Sequence, residues 1–160
     1  MAVSMMVPMM GMNVFAADAK NDNATTNVKY TVQKSYTWSV PSEIDFNTNT
    51  TVTTSGTNGN TQNVCVTKNV IPEKTKLHII VSNSNTFTIT SEEGKTLNYI
   101  VKVGDSTQAL TAGGTVLDVK AGTNDGSAKL TFELTKDKVE RAGNYKGTVE
   151  FVSSVINDNQ

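Results

Sequence analysis

Along most of this chain, apolar residues recur at every second position in short bursts, and each burst ends at a turn-forming residue. A period of two places the apolar side chains on one face of an extended strand, and no helix can bury that pattern. The bursts are Val28, Tyr30 and Val32; then, after a break at Lys34-Ser35, Tyr36, Trp38 and Val40, ended by Pro41. Ile44 and Phe46 form a short extended piece, and Val64 and Val66 a strand. Leu77, Ile79 and Val81 alternate, Asn83-Ser84-Asn85 turns the chain, and Phe87 and Ile89 alternate again, as in a hairpin. Glu93-Gly94 precedes Leu97, Tyr99, Val101 and Val103; Gly113-Gly114 precedes Val116, Leu117 and Val119; Asn124-Asp125-Gly126 precedes Leu130, Phe132 and Leu134. A last strand is expected from Tyr145 through Val155.

About eight to ten short strands with turns every 8 to 12 residues predict an all-β fold: an antiparallel β-sandwich of immunoglobulin-like type. Threonine and valine support this reading, because branched side chains suit a pleated surface and lose rotamer freedom in a helix. Residues 136–141 are the only helix candidate. Residues 47–62 read as a polar turn region with Asn58-Gly59 as a hairpin signal. The 160 residues suffice for one domain with a core.

The opening MAVSMMVPMMGMNVFAADAK is an apolar run closed by small residues. Val14 and Ala16 fit the −3 and −1 positions of a signal peptidase site, so residues 1–16 are expected to be a signal peptide. Pro8 and Gly11 interrupt the run, which is short for a membrane span. No Lys or Arg precedes it; a lone interfacial anchor is the alternative. Residues 17–27 read as a flexible polar leader, 28–156 as the β-sandwich domain, and 157–160 as a polar tail. The expected location is secreted or at the cell surface, with no stable membrane span after processing.

In RAGNYKGTVEFVSSV, Ala142-Gly143 permits a tight turn. Tyr145 opens the strand, its ring on the core as in a tyrosine corner. Val149 and Phe151 continue the inward face, and Gly147 admits close approach of neighbouring backbone. The pattern A-G-x-Y-x-G-x-V-x-F resembles the closing strand of bacterial immunoglobulin-like surface domains. KYTVQKSYTWSVPSEIDF is similar to the start of small secreted β-sandwich proteins of Gram-positive gut Firmicutes. The resemblance covers most of residues 28–155 and implies the sandwich fold without an assigned activity. Trp38-Ser39-Val40 is weakly similar to the signature of WxL cell-wall-binding domains, with Val in place of Leu.

Chemistry is sparse. Net charge is −1 with 18% charged residues, which excludes the basic footprint of a nucleic-acid binder. Cys65, the single cysteine, permits no intramolecular disulfide and reads as a small buried hydrophobe, with an intermolecular bridge or reactive thiol as the sharper alternative. His78, the single histidine, falls out of phase with Leu77 and Ile79 and belongs on the second face. A nucleophilic site would need His78 beside Cys65 or a Ser, with an orienting acid. One His and one Cys fall short of a zinc site. Glu43 with Asp45, and Glu92 with Glu93, are acid pairs on turns. Asp22 and Asp125 sit in polar turns without an EF-hand ladder. A Lys–Asn isopeptide would need an inward Asn, and the closing strand has none before Asn157. No catalytic, cofactor-binding or metal-binding residue is assigned, and no cofactor is expected.

The favoured function is therefore a non-enzymatic exported structural or adhesion module. Its partners would be other surface proteins, glycans or its own copies, joined through strand addition at an open edge. The alternative is a carbohydrate- or protein-binding module using Trp38 and Tyr36, together with Tyr30 and Tyr99, as stacking rings. Their in-phase spacing favours core packing. A secreted hydrolase ranks third. Loops 47–62 and 104–115 are where a sandwich would carry specificity.

Overall fold

The computed structural model describes residues 27–56, 62–135 and 143–159. The expected signal peptide, nearly all of the leader, Asn58-Gly59 and the 136–141 helix candidate lie outside them. The chain divides into two compact units, Met1–Val32 and Gln33–Gln160. In the first, the described residues 27–32 form no strand, and Val28, Tyr30 and Val32 are 90, 91 and 63% exposed. Strand alternation is thus present there without strand structure: a strand exists only when a second strand satisfies its backbone.

The second unit is all-β and antiparallel, and no helix occurs among its described residues. Eleven strands occur: β1 Ser35–Ser39, β2 Thr51–Thr53, β3 Val64–Val70, β4 Thr75–Val81, β5 Thr88–Ser91, β6 Thr96–Val103, β7 Thr115–Lys120, β8 Gly126–Ala128, β9 Leu130–Leu134, β10 Tyr145–Lys146 and β11 Phe151–Asn157. They form a five-stranded sheet, β10-β5-β6-β9-β2, and two three-stranded sheets, β1-β3-β8 and β11-β4-β7. Inward residues of all three meet in one core: Val64 and Val66, Leu77, Ile79 and Val81, Tyr99 and Val101, Leu130 and Phe132. This arrangement is consistent with a β-sandwich. Leu77, Ile79, Val81, Val101 and Leu130 are wholly excluded from solvent, which gives the unit its main stabilising term, about 1.5–3 kcal/mol for each such side chain.

Four differences from the sequence expectation follow from how strands share backbone bonds. β4 and β5 are not a hairpin. β4 pairs with β7 and β11, β5 pairs with β6 and β10, and residues 82–87 carry the chain between sheets. Phe87 holds φ +52 in that link and still packs edge-to-face on Tyr99, ring centres 5.9 Å apart. The final strand is two pieces. β10 pairs with β5, β11 pairs with β4, and the chain changes sheets between them. Gly147 stands at this crossing: a Cβ there would lie 2.4 Å from the Thr88 carbonyl oxygen. The chain likewise changes sheets at Lys129, between β8 and β9. β2 was hidden by its polar composition, since Val52 is its one apolar residue. It exists because Thr51–Thr53 pairs with Glu133–Thr131 of β9.

The β5–β6 connection is the hairpin that Glu93-Gly94 predicts. Ser91 N donates to Lys95 O, Gly94 N donates to Ser91 O, and Gly94 takes φ +76. That conformation is cheap for glycine alone.

Candidate functional site

The period-two pattern that buries Leu77, Ile79 and Val81 turns Lys76, His78 and Ile80 to the opposite face of β4. Register then sets three cross-strand rows on the outside of the β11-β4-β7 sheet. Ser154, His78 and Asp118 form the middle row. Ile156, Lys76 and Lys120 lie on one side of it, and Val152, Ile80 and Thr115 on the other. Asp118 binds both basic neighbours: its Oδ1 is 2.6 Å from His78 Nδ1 and its Oδ2 accepts from Lys76 Nζ at 2.9 Å. Burial acts to raise the Asp118 carboxyl, but hydrogen bonds and charge from His78 and Lys76 outweigh it, and its pKa is lowered.

The acid, imidazole and hydroxyl of a nucleophilic site thus share one row, an arrangement sequence spacing did not reveal because 76 residues separate His78 from Ser154. The signal was available only through register. Asp118 is shared with Lys76, and His78 lies opposite Ser154 on the adjacent strand, with no hydrogen bond between their side chains among the described contacts. An oxyanion would also need free donors beside Ser154. The Ser154 backbone is part of the β11–β4 ladder.

β11 is the outermost strand of its sheet. Ser82 N donates to Glu150 O at 2.8 Å and Asp158 N donates to Lys74 O at 2.9 Å, which fixes the alternation of the ladder. Residues 150, 152, 154, 156 and 158 direct their backbone groups toward β4. Phe151, Ser153, Val155 and Asn157 direct theirs to the other side, where no strand pairs among the described residues. All seven β11 residues pair with β4 without a bulge.

The other candidates are dispersed. Tyr36 and Trp38 lie on β1, half-buried and packed against the core. Tyr99 is 5% exposed, and burial raises its pKa. Tyr30 is solvent-exposed. These four rings form no common stacking surface within the described contacts. Cys65 is buried, its Sγ 3.7 Å from Ser127 Oγ. Asp45 Oδ1 accepts from Asn47 N in a local turn two residues after Glu43. Glu92 and Glu93 line a shallow groove of about 210 Å³ with Ser91, Lys95, Gly143, Asn144 and Tyr145. Asp125 lies in the turn before β8, and Asp22 lies outside the described residues. No group of three or more His, Cys, Asp or Glu side chains that would hold a metal ion occurs among the described residues. No described helix is long and apolar enough to cross a membrane.

Sequence reasoning also missed Asn69. Its side chain is 3% exposed, and Nδ2 donates to Val119 O, Lys120 O and Thr123 O at 3.0–3.3 Å. It ties β3 to the end of β7. Its Oδ1 finds no partner. Comparison with protein-family models, curated proteins and solved structures returns no match.

Proposed function

We propose that this chain is an exported, non-enzymatic structural or adhesion module of immunoglobulin-like β-sandwich type. It works at the cell surface or outside the cell and assembles with copies of itself. The observation that carries the reading is the free side of β11: seven residues, without a bulge, with four residues' backbone donors and acceptors unpaired by any described strand. Natural sheets blunt such edges with bulges, prolines or short strands, and an unblunted one is a template for another strand. β1 carries a bulge between Thr37 and Trp38, while β2, β8 and β10 have three, three and two residues.

A second reading, recognition of a glycan or a protein, is supported by the groove that Glu92, Glu93, Lys95 and Tyr145 line. The half-buried packing of Tyr36 and Trp38 on the core, which their spacing favours, leaves this reading to the groove rather than to those rings. Light scattering over a wide concentration range, with and without reductant, and negative-stain imaging of the same samples test the first reading. Growth in mass with concentration is expected. A monomer at every concentration refutes self-assembly and directs the work to a ligand screen. Growth that reductant abolishes would assign assembly to Cys65 and refute the strand edge as its cause.

A further inference from the structure

Four large apolar residues are exposed among the described residues: Val28, Tyr30, Val32 and Val152. Three lie in one segment that forms no strand among the described residues, and the fourth lies on the edge strand β11. The two features match in pattern and charge. Val28, Tyr30 and Val32 alternate with Lys29, Thr31 and Gln33. On the outer side of β11, Val152 and Ile156 flank Ser154 at the same two-residue spacing. Lys34, just after the segment, lies at the end that antiparallel pairing brings to Glu150, just before β11. Resting on the self-assembly reading, we propose that residues 28–32 of a second copy add to β11 as an antiparallel strand.

Alternation selects the register. The free backbone groups of β11 belong to Phe151, Ser153, Val155 and Asn157. Antiparallel pairing of Asn157 with Asn27 sets Val155 against Lys29, Ser153 against Thr31 and Phe151 against Gln33 as hydrogen-bonded pairs. The residues between them meet in the closer, non-hydrogen-bonded pairs. Val28 falls opposite Ile156, Tyr30 opposite Ser154, and Val32 opposite Val152. Opposite residues share a face, so the apolar row of the added strand continues the Val152–Ile80 row and covers the exposed Val152. A shift by one residue would set Lys29 and Gln33 against those positions and leave Val152 uncovered. The complementary spacing occurs within one sequence, so a second copy of this chain is the occupant that carries it.

Cysteine pairing reads this register directly. Non-hydrogen-bonded partners have Cα atoms about 4.5 Å apart, within the span of a disulfide. Full-length Tyr30→Cys and Ser154→Cys chains, mixed under mild oxidation, should give a bridge between chains that joins residues 30 and 154. Peptide mapping separates it from any bridge to Cys65. Tyr30→Asp should weaken self-association at least tenfold in light scattering while leaving the far-UV spectrum of the sheet unchanged. All three variants keep residues 1–26, so any contribution of that segment cancels. Persistent association of Tyr30→Asp without a 30–154 bridge overturns this docking and leaves assembly standing through another surface. A chain carrying both Tyr30→Cys and Ser154→Cys that stays monomeric and closes the 30–154 bridge within itself, while the mixed single variants do not bridge, overturns the second copy as occupant. A wild-type chain that stays monomeric overturns both readings.

Discussion

Gly147→Ala tests the sheet crossing that separates β10 from β11. Its Cβ would lie 2.4 Å from Thr88 O, 3.0 Å from Ile89 Cγ2 and 3.2 Å from Ile89 Cα. Two of the three are backbone atoms of β5 and cannot swing aside as a side-chain tip can. Relief requires the 147–150 crossing to move away from the β5 backbone, against the packing of Val149 and Phe151 on the core. Overpacked sites cost about 1–3 kcal/mol when side chains adjust, and a backbone contact belongs at the top of that range, about 3 kcal/mol. For a domain of this size that lowers Tm by roughly 10 °C, at about 3–4 °C per kcal/mol. Gly143→Ala is the matched control: its nearest neighbours would be Tyr145 Cε2 at 3.8 Å and Ser91 Cβ at 3.9 Å, ordinary contacts. It should change stability by less than about 0.5 kcal/mol. Urea unfolding followed by Trp38 fluorescence measures both. If residues 145–155 were a single continuous strand, alanine at 147 would be neutral or slightly stabilising. That outcome would refute the crossing.

The remaining predictions concern polar groups. Thr54 is wholly buried; its Oγ1 accepts from Leu130 N and donates to Asn63 Oδ1, both at 2.8 Å. Thr54→Val strands both partners and should cost about 1–3 kcal/mol in urea unfolding, whereas Thr54→Ser should restore most of it. Asp118 has a lowered pKa in the folded chain, so its contribution is present above the ordinary aspartate value of about 3.9 and is lost as pH falls through the folded value. Thermal melts should show the wild type losing its advantage over Asp118→Asn below about pH 4; a gap that widens in acid would refute the sign. Cys65 should resist a thiol reagent in the native chain and react in denaturant, as a 3% exposed side chain requires. Prompt native labelling would place it on the surface.

What could be read from the sequence was whatever a strand encodes within itself. Leu77, Ile79 and Val81, and Leu97, Tyr99 and Val101, are buried as their spacing demands, and Gly94 makes the turn its position suggests. Which strand pairs with which is not local information. Phe87–Ile89 and Leu77–Val81 alternate alike, so nothing in either says that they belong to different sheets. Tyr145–Val155 alternates through a sheet change because both sheets bury the same face against one core. Thr51–Thr53 has the branched side chains of a strand but one apolar residue, and only β9 reveals it. The Ser154, His78 and Asp118 row was illegible for the same reason, since each residue lies on a separate strand and register alone aligns them.

The placement of the edges bears on what assembly would look like. The free side of β7 is occupied near its end by Asn69, whose amide reaches Lys120 O and Thr123 O. The other described edges are short or bulged. Each copy then offers one acceptor, β11, and one donor, residues 28–32. One donor and one acceptor per copy permit two outcomes. Two copies exchange donors across a twofold axis, or each passes its donor to the next in a heterologous contact that closes into a ring or extends as a filament. A branched lattice would need a second acceptor. One donor and one acceptor cannot branch, so negative-stain images of the wild type should show unbranched filaments, rings or closed pairs. Branched networks would reveal a second acceptor on the same chain and refute β11 as the single docking edge.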